Sequence, residues 1–70
     1  MEDQVPTVGR IVHFNQGDGI HLAAVVAKVY SPTCVNLGIF SDFGTVSGLT
    51  SVLYDGSGEG LATWHWPERA

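Results

Sequence analysis

One cysteine, three Lys and Arg residues and no long apolar run are what this 70-residue chain has least of, and each scarcity closes off a class of protein. A lone Cys34 forms no intrachain disulfide, and with three dispersed histidines it offers neither C-x-x-C nor H-x-x-x-H spacing for structural zinc. Arg10, Lys28 and Arg69 stand against seven Asp and Glu, a formal charge of −4. A bulk nucleic-acid binder neutralises several phosphates with clustered cations, so duplex DNA and RNA are excluded as expected partners. No apolar stretch reaches the ~20 residues of a membrane span, and Met1-Glu2-Asp3-Gln4 lacks the basic and apolar regions of a signal peptide. With the unpaired thiol, these features predict a reducing cytoplasm and no membrane partner.

Helical periodicity and the standard nucleotide-binding motifs are also missing. Neither G-x-x-x-x-G-K-[ST] nor a strand–G-x-G-x-x-G–helix unit occurs. Nine glycines instead punctuate short runs rich in Val, Ile, Leu and aromatics, the pattern of an all-β domain. The runs predict strands over 8–14, 21–30, 34–40, 46–54 and 61–66, with Asp18-Gly19 a hairpin signal and Ser31-Pro32-Thr33 a tight turn. Gly48 marks a bulge or bend, and Asp55 to Gly60 reads as a flexible hairpin loop in preference to a calcium loop or an anion-binding nest. The expected fold is a single domain over 1–70, with 1–6 a flexible N-terminal segment. Its architecture is a small five-stranded SH3-like or OB-like barrel, and a five-stranded sandwich is the competing arrangement.

The second run is apolar at consecutive positions from Leu22 to Ala27, unlike the alternation of a half-solvated antiparallel strand. Either loops of the same chain cover its outer row or a second subunit does. The row Ala23, Val25, Ala27 and Val29 is therefore the candidate oligomer interface. Self-association also suits a chain of this size, whose core alone leaves ~3–5 kcal/mol of stability.

The terminal run Thr63-Trp64-His65-Trp66-Pro67-Glu68-Arg69 places two indoles two apart before a proline that ends the ladder. Trp64 and Trp66 either pack in the core or a subunit contact, or stack on a base, a ring or a peptide. Arg10 and Arg69 are then candidates to hold phosphate in bidentate fashion, the alternative for Arg69 being an end-capping ion pair. His13, His21 and His65 are weighed as metal ligands or as an acid–base set. Two of them, His13 and His65, become neighbours if the first and last strands pair. Without a suitably placed carboxylate the expectation is structural hydrogen bonding, with no metal, no cofactor and no catalytic residue assigned. Cys34 has no basic neighbour in sequence to make it a nucleophile.

Pro6-Thr7-Val8-Gly9-Arg10-Ile11-Val12-His13-Phe14, Ala23 to Val26, Val35 to Phe40 and the W-H-W-P-E-R string at 64–69 together resemble a group of small phage and prophage proteins. The resemblance implies a viral accessory protein in an infected or lysogenic bacterium and carries no catalytic residue with it. By analogy with small self-associating phage modules, the leading expectation is a non-enzymatic homo-oligomer that sequesters a small nucleotide-like immune signal. Its ligand candidates are Trp64, Trp66, Arg69, Arg10, His65 and His13. The alternative is a protein-interaction module that inhibits a host protein or serves in the virion.

Overall fold

The computed structural model describes residues 5–67 and contains five strands: β1 (Ile11–Gly17), β2 (Ile20–Ser31), β3 (Cys34–Phe40), β4 (Val46–Tyr54) and β5 (Thr63–His65). They close into a barrel in the order β1-β2-β3-β4-β5. Neighbours from β1 to β4 are antiparallel; β5 completes the ring by pairing antiparallel with β1 and parallel with β4. The closing ladder is short: β5 meets β4 only at Leu53–Thr63 and Tyr54–Trp64, so from Val46 to Val52 β4 is paired on its β3 side and not by β5. A small all-β barrel of the SH3-like or OB-like kind is what the strand pattern predicts, and the sandwich is not formed. No helix long and apolar enough to cross a membrane occurs among the described residues.

Alternation builds the core. On β3, Val35, Leu37 and Ile39 are buried while their neighbours are only half covered. Val12 and Phe14 from β1, Ala24 and Val26 from β2, Val52 from β4 and Trp64 from β5 complete one cluster. The β1–β2 hairpin turns on Asp18 (φ 54°) and Gly19 (φ 75°), both left-handed, the geometry that lets a two-residue turn follow the twist of its strands. That turn is shorter than expected, so Asn15 and Gln16 join β1. At its other end β1 starts at Ile11 and not at Val8, because Gly9 (φ 92°) breaks the extended run and Arg10 N–H turns back to the Thr7 carbonyl at 3.0 Å. Pro6 is buried, whereas residues 1–4 of the expected flexible segment lie outside the described residues.

The ladders shift register at Asn15/Gly17, Val26/Lys28, Val29/Ser31 and Val35/Leu37, and the second and fourth shifts do most to set which side chains face outward. Between Val26 and Lys28 the β2–β3 register shifts, leaving Ala27 as the extra residue. Beyond that bulge the faces exchange, and Val29 packs against the core while Lys28 and Tyr30 are exposed. On β4, Gly48 pairs regularly with Gly38; the irregularity falls instead between Leu49 and Val52, where Ser51 is left-handed (φ 57°). Asn36 Oδ1 accepts the Ser51 N–H at 2.9 Å, satisfying a donor the bulge frees from the ladder.

The β4–β5 connection is not a hairpin loop, since its two strands run parallel. It is an internally bonded crossover. Asp55 Oδ1 accepts from the Ser57 N–H (3.0 Å) and hydroxyl (2.7 Å), and Oδ2 accepts from the Gly60 N–H (2.9 Å). The Ser57 bonds hold the Asp55 carboxyl below its ordinary value, aided by Gly60 and by the charge of His65. Buried Asn15 fastens the crossover to β1, with Nδ2 donating to the Gly58 (2.9 Å) and Gly60 (3.0 Å) carbonyls and Oδ1 accepting from Gly17 N–H (2.9 Å). The strand predicted from Leu61 starts only at Thr63, because Ala62 is left-handed (φ 58°).

Candidate functional site

Trp64 is wholly buried at the centre of the core, so it cannot be a stacking face for a ligand. Its ring lies against Tyr54 (centroids 4.8 Å apart) and edge-on to Trp66 (5.3 Å). The indole Nε1 has no hydrogen-bond partner among the described residues, contrary to the carbonyl bond that a buried indole usually makes. The ladder expected to run to Trp66 and stop at Pro67 already ends at His65, and Trp66 lies past β5, half-buried against the core. The exposed Arg10 guanidinium covers the Trp66 ring, its Cζ 5.2 Å from the centroid. Two of the phosphate-and-stacking candidates thus meet; Arg69 lies outside the described residues.

The pairing of β1 with β5 sets His13 opposite His65. Their rings pack edge to face at 5.5 Å, and His21 packs edge to face on His65 at 4.9 Å. Exposure falls from His21 through His13 to the buried His65. Three imidazoles are therefore contiguous on one wall of the barrel. No group of three or more His, Cys, Asp and Glu is arranged to hold a metal ion among the described residues. Asp55 is the carboxylate that feels His65 electrostatically. Beside this wall, Asn15, Asp18, His21, Gly58, Glu59 and Leu61 line an open hollow of about 390 Å³. Two carboxylates in its rim make it a poor receptor for a phosphate.

Part of the outer face of the β1–β4 sheet is an apolar band, bordered beyond the Ala27 bulge by Lys28 opposite Asn36. Across it Ile11 faces Val25, Val25 faces Gly38 and Gly38 faces Gly48; alongside, His13 faces Ala23 and Phe40 faces Val46. Ile11 and Val46 are 57% and 59% exposed, while Val25 and Phe40 are half-buried. These rows carry no Lys, Arg, Asp or Glu. Of the four residues assigned to a covered outer row, Ala23 and Ala27 are exposed, Val25 is half-covered and Val29 is turned inward by the Ala27 bulge.

Sequence reasoning did not single out Ile11, Phe40 or Val46, because which apolar residues of a strand face outward depends on register. Phe43 was also missed, at 93% exposure on the β3–β4 turn, although an aromatic beside Gly44 in a turn signals display. At one mouth of the barrel Phe14, Leu22, Ile39 and Leu49 floor an open pocket of about 340 Å³ with Gln16 and Ser47 at its rim.

Fold and surfaces together define a closed five-stranded β-barrel with an apolar band on its outer sheet face, a guanidinium–indole stack and a histidine wall. No family model, curated protein or solved structure gives a significant match to the chain.

Proposed function

We propose that the protein is a non-enzymatic binding module, of the phage accessory kind its sequence resembles, that docks a protein partner on its outer sheet face in the cytoplasm of an infected or lysogenic bacterium. The observation that carries this reading is the charge-free band from Ile11 through Val25 to the Gly38–Gly48 pair, flanked by Phe40 and Val46. Such a band is unusual on a domain with a formal charge of −4, and the paired glycines make its middle shallow enough for close approach. Contiguous apolar surface on a small soluble domain marks an interaction site, and a partner side chain seated there is removed from water.

The test is affinity capture from the host with wild type and with Ile11→Lys/Val46→Lys, both positions exposed enough to leave folding intact. A protein retained by wild type and lost from the double variant supports the proposal. Identical captures by the two proteins refute it.

A second reading, sequestration of a small nucleotide-like ligand, is favoured by one observation: Arg10 already lies on the half-buried Trp66 ring. An aromatic ring of a ligand could replace the guanidinium on the indole while Arg10 turns to a phosphate. Burial of Trp64 leaves only one indole for that role. Quenching of Trp66 fluorescence by micromolar nucleotide, abolished by Arg10→Gln, would favour this reading.

A further inference from the structure

We propose that two copies of this chain associate end to end, the Phe43 ring of each entering the open mouth of the other's barrel. The knob and the hole lie at the same end of the molecule, Ser41 at the base of the Phe43 turn also lining the hole. Phe43 is 93% exposed, the most exposed of the large apolar side chains. Its turn is bonded on every side: Ser41 N–H to the Thr45 carbonyl (2.8 Å), Gly44 N–H to the Ser41 carbonyl (2.9 Å) and Phe43 N–H to Ser41 Oγ (3.2 Å). The Ser41 and Thr45 hydroxyls, 2.6 Å apart, close it further, and Gly44 supplies the left-handed residue it needs (φ 86°). The backbone that carries the ring is thus ordered before binding, which lowers that part of the ordering cost of association.

The hole matches in size and chemistry. Phe14, Leu22, Ile39 and Leu49 give it an apolar floor, and its volume of about 340 Å³ exceeds the ~150 Å³ in which an apolar cavity already accepts a benzene ring. No charged side chain lines it. At the rim, the Gln16 amide and the Ser47 hydroxyl make no hydrogen bond within the described residues, so both have donors to spend. Asp42, beside Phe43 on the knob, brings a carboxylate that needs donors. A partner copy therefore presents apolar ring to apolar floor and carboxylate to amide and hydroxyl.

The turn that carries the knob joins β3 to β4, and Ile39, Ser47 and Leu49 of those strands line the hole. Adjacent knob and hole allow the exchange to be reciprocal about a two-fold axis, which closes at a dimer and does not propagate. Gly48 lines the hole and also belongs to the outer band, so the two contacts border one another; Phe43→Ala removes the knob and leaves the band intact, which keeps the two readings separable.

Sedimentation velocity from micromolar to millimolar protein tests it with two variants. Phe43→Ala removes the knob at an exposed position, and Ser47→Phe plugs the hole at an exposed position; unchanged melting temperatures show that both fold. Wild type is expected to dimerise, and each variant, whose homodimer loses both knob-in-hole contacts, to dissociate roughly 100- to 10,000-fold more readily, about 10- to 100-fold for each buried Phe lost. A mixture of the two variants keeps one intact knob and one open hole, and is expected to form a one-to-one complex tighter than either variant alone. A wild type that stays monomeric, variants that dimerise as wild type does, or a mixture without rescue overturns the proposal.

Discussion

Replacing Asn15 by Ala should cost this barrel most of its stability, although the residue looks like an ordinary loop asparagine in the sequence. Its buried amide makes three hydrogen bonds, to the Gly58 and Gly60 carbonyls and from the Gly17 N–H. A bond of this kind contributes about 1 kcal/mol net, which sums to about 3 kcal/mol for the side chain. The Gly60 carbonyl keeps a second donor in the Thr63 hydroxyl at 2.6 Å, and the Ala62 N–H bond to the Asn15 carbonyl is untouched, so the loss should stop near that sum. For a domain of this size 1 kcal/mol corresponds to roughly 4–8 °C, and the expected fall in melting temperature is about 12–24 °C. Urea unfolding followed by Trp fluorescence, with calorimetry for the melting temperature, measures it. The buried Trp64 reports directly, because its strand is the one the crossover delivers. A fall of less than ~4 °C would show that the crossover holds itself and that Asn15 is not its fastening.

Other consequences are as direct. Trp64→Ala should destabilise by about 3–5 kcal/mol, whereas Trp64→Phe should cost less than half as much, since it also removes a buried indole N–H that has no partner; urea midpoints compare them. Gly17 is left-handed (φ 111°) and a Cβ there would come within 2.8 Å of Leu61 Cδ1, so Gly17→Ala should lower the melting temperature. Gly48 has neither restriction, and Gly48→Ala should leave it unchanged or raise it, through the smaller entropy of the unfolded chain. Asp55 has a folded-state pKa below its ordinary value of 3.8, so it binds protons less readily folded than unfolded. Its stabilising contribution is complete above the unfolded value and disappears as pH falls through the lower folded one. Wild type should therefore lose stability on acidification through this window more steeply than Asp55→Asn, as melting curves from pH 2 to 6 would show; parallel curves would contradict the assignment.

Strand content was legible because Val, Ile and aromatic runs between glycines leave few alternatives; β3 and β4 have the predicted limits. Where boundaries moved, single residues in the left-handed region moved them. Gly9 delays β1, the Asp18-Gly19 turn lets β1 run on to Gly17 with Asn15 paired and Gln16 the extra residue of a register shift, and Ala62 delays β5. Local composition does not show which residue will take that conformation when an alternative lies two positions away. The direction of β5 was not legible either, since parallel pairing with β4 depends on closing the ring and not on the residues between them. At the candidate site, the adjacency of His13 and His65 followed from pairing the first and last strands. The separation of Trp64 from Trp66 did not, because equal spacing from the core ends where the strand ends. Val29 was misplaced for a related reason: the bulge at Ala27 inverts a face whose sequence pattern runs on unbroken.

The most direct measurement of the central claim is the dissociation constant of a captured, purified partner for three forms of the protein: wild type, Ile11→Lys/Val46→Lys and Arg10→Gln. Two charges placed on either side of an apolar interface should weaken binding by about 2 kcal/mol or more, roughly thirtyfold, while Arg10→Gln should bind as wild type does. Full affinity in the outer-face variant, with binding lost on substitution of Arg10, would contradict the account and move the binding site to the indole at the end of the chain.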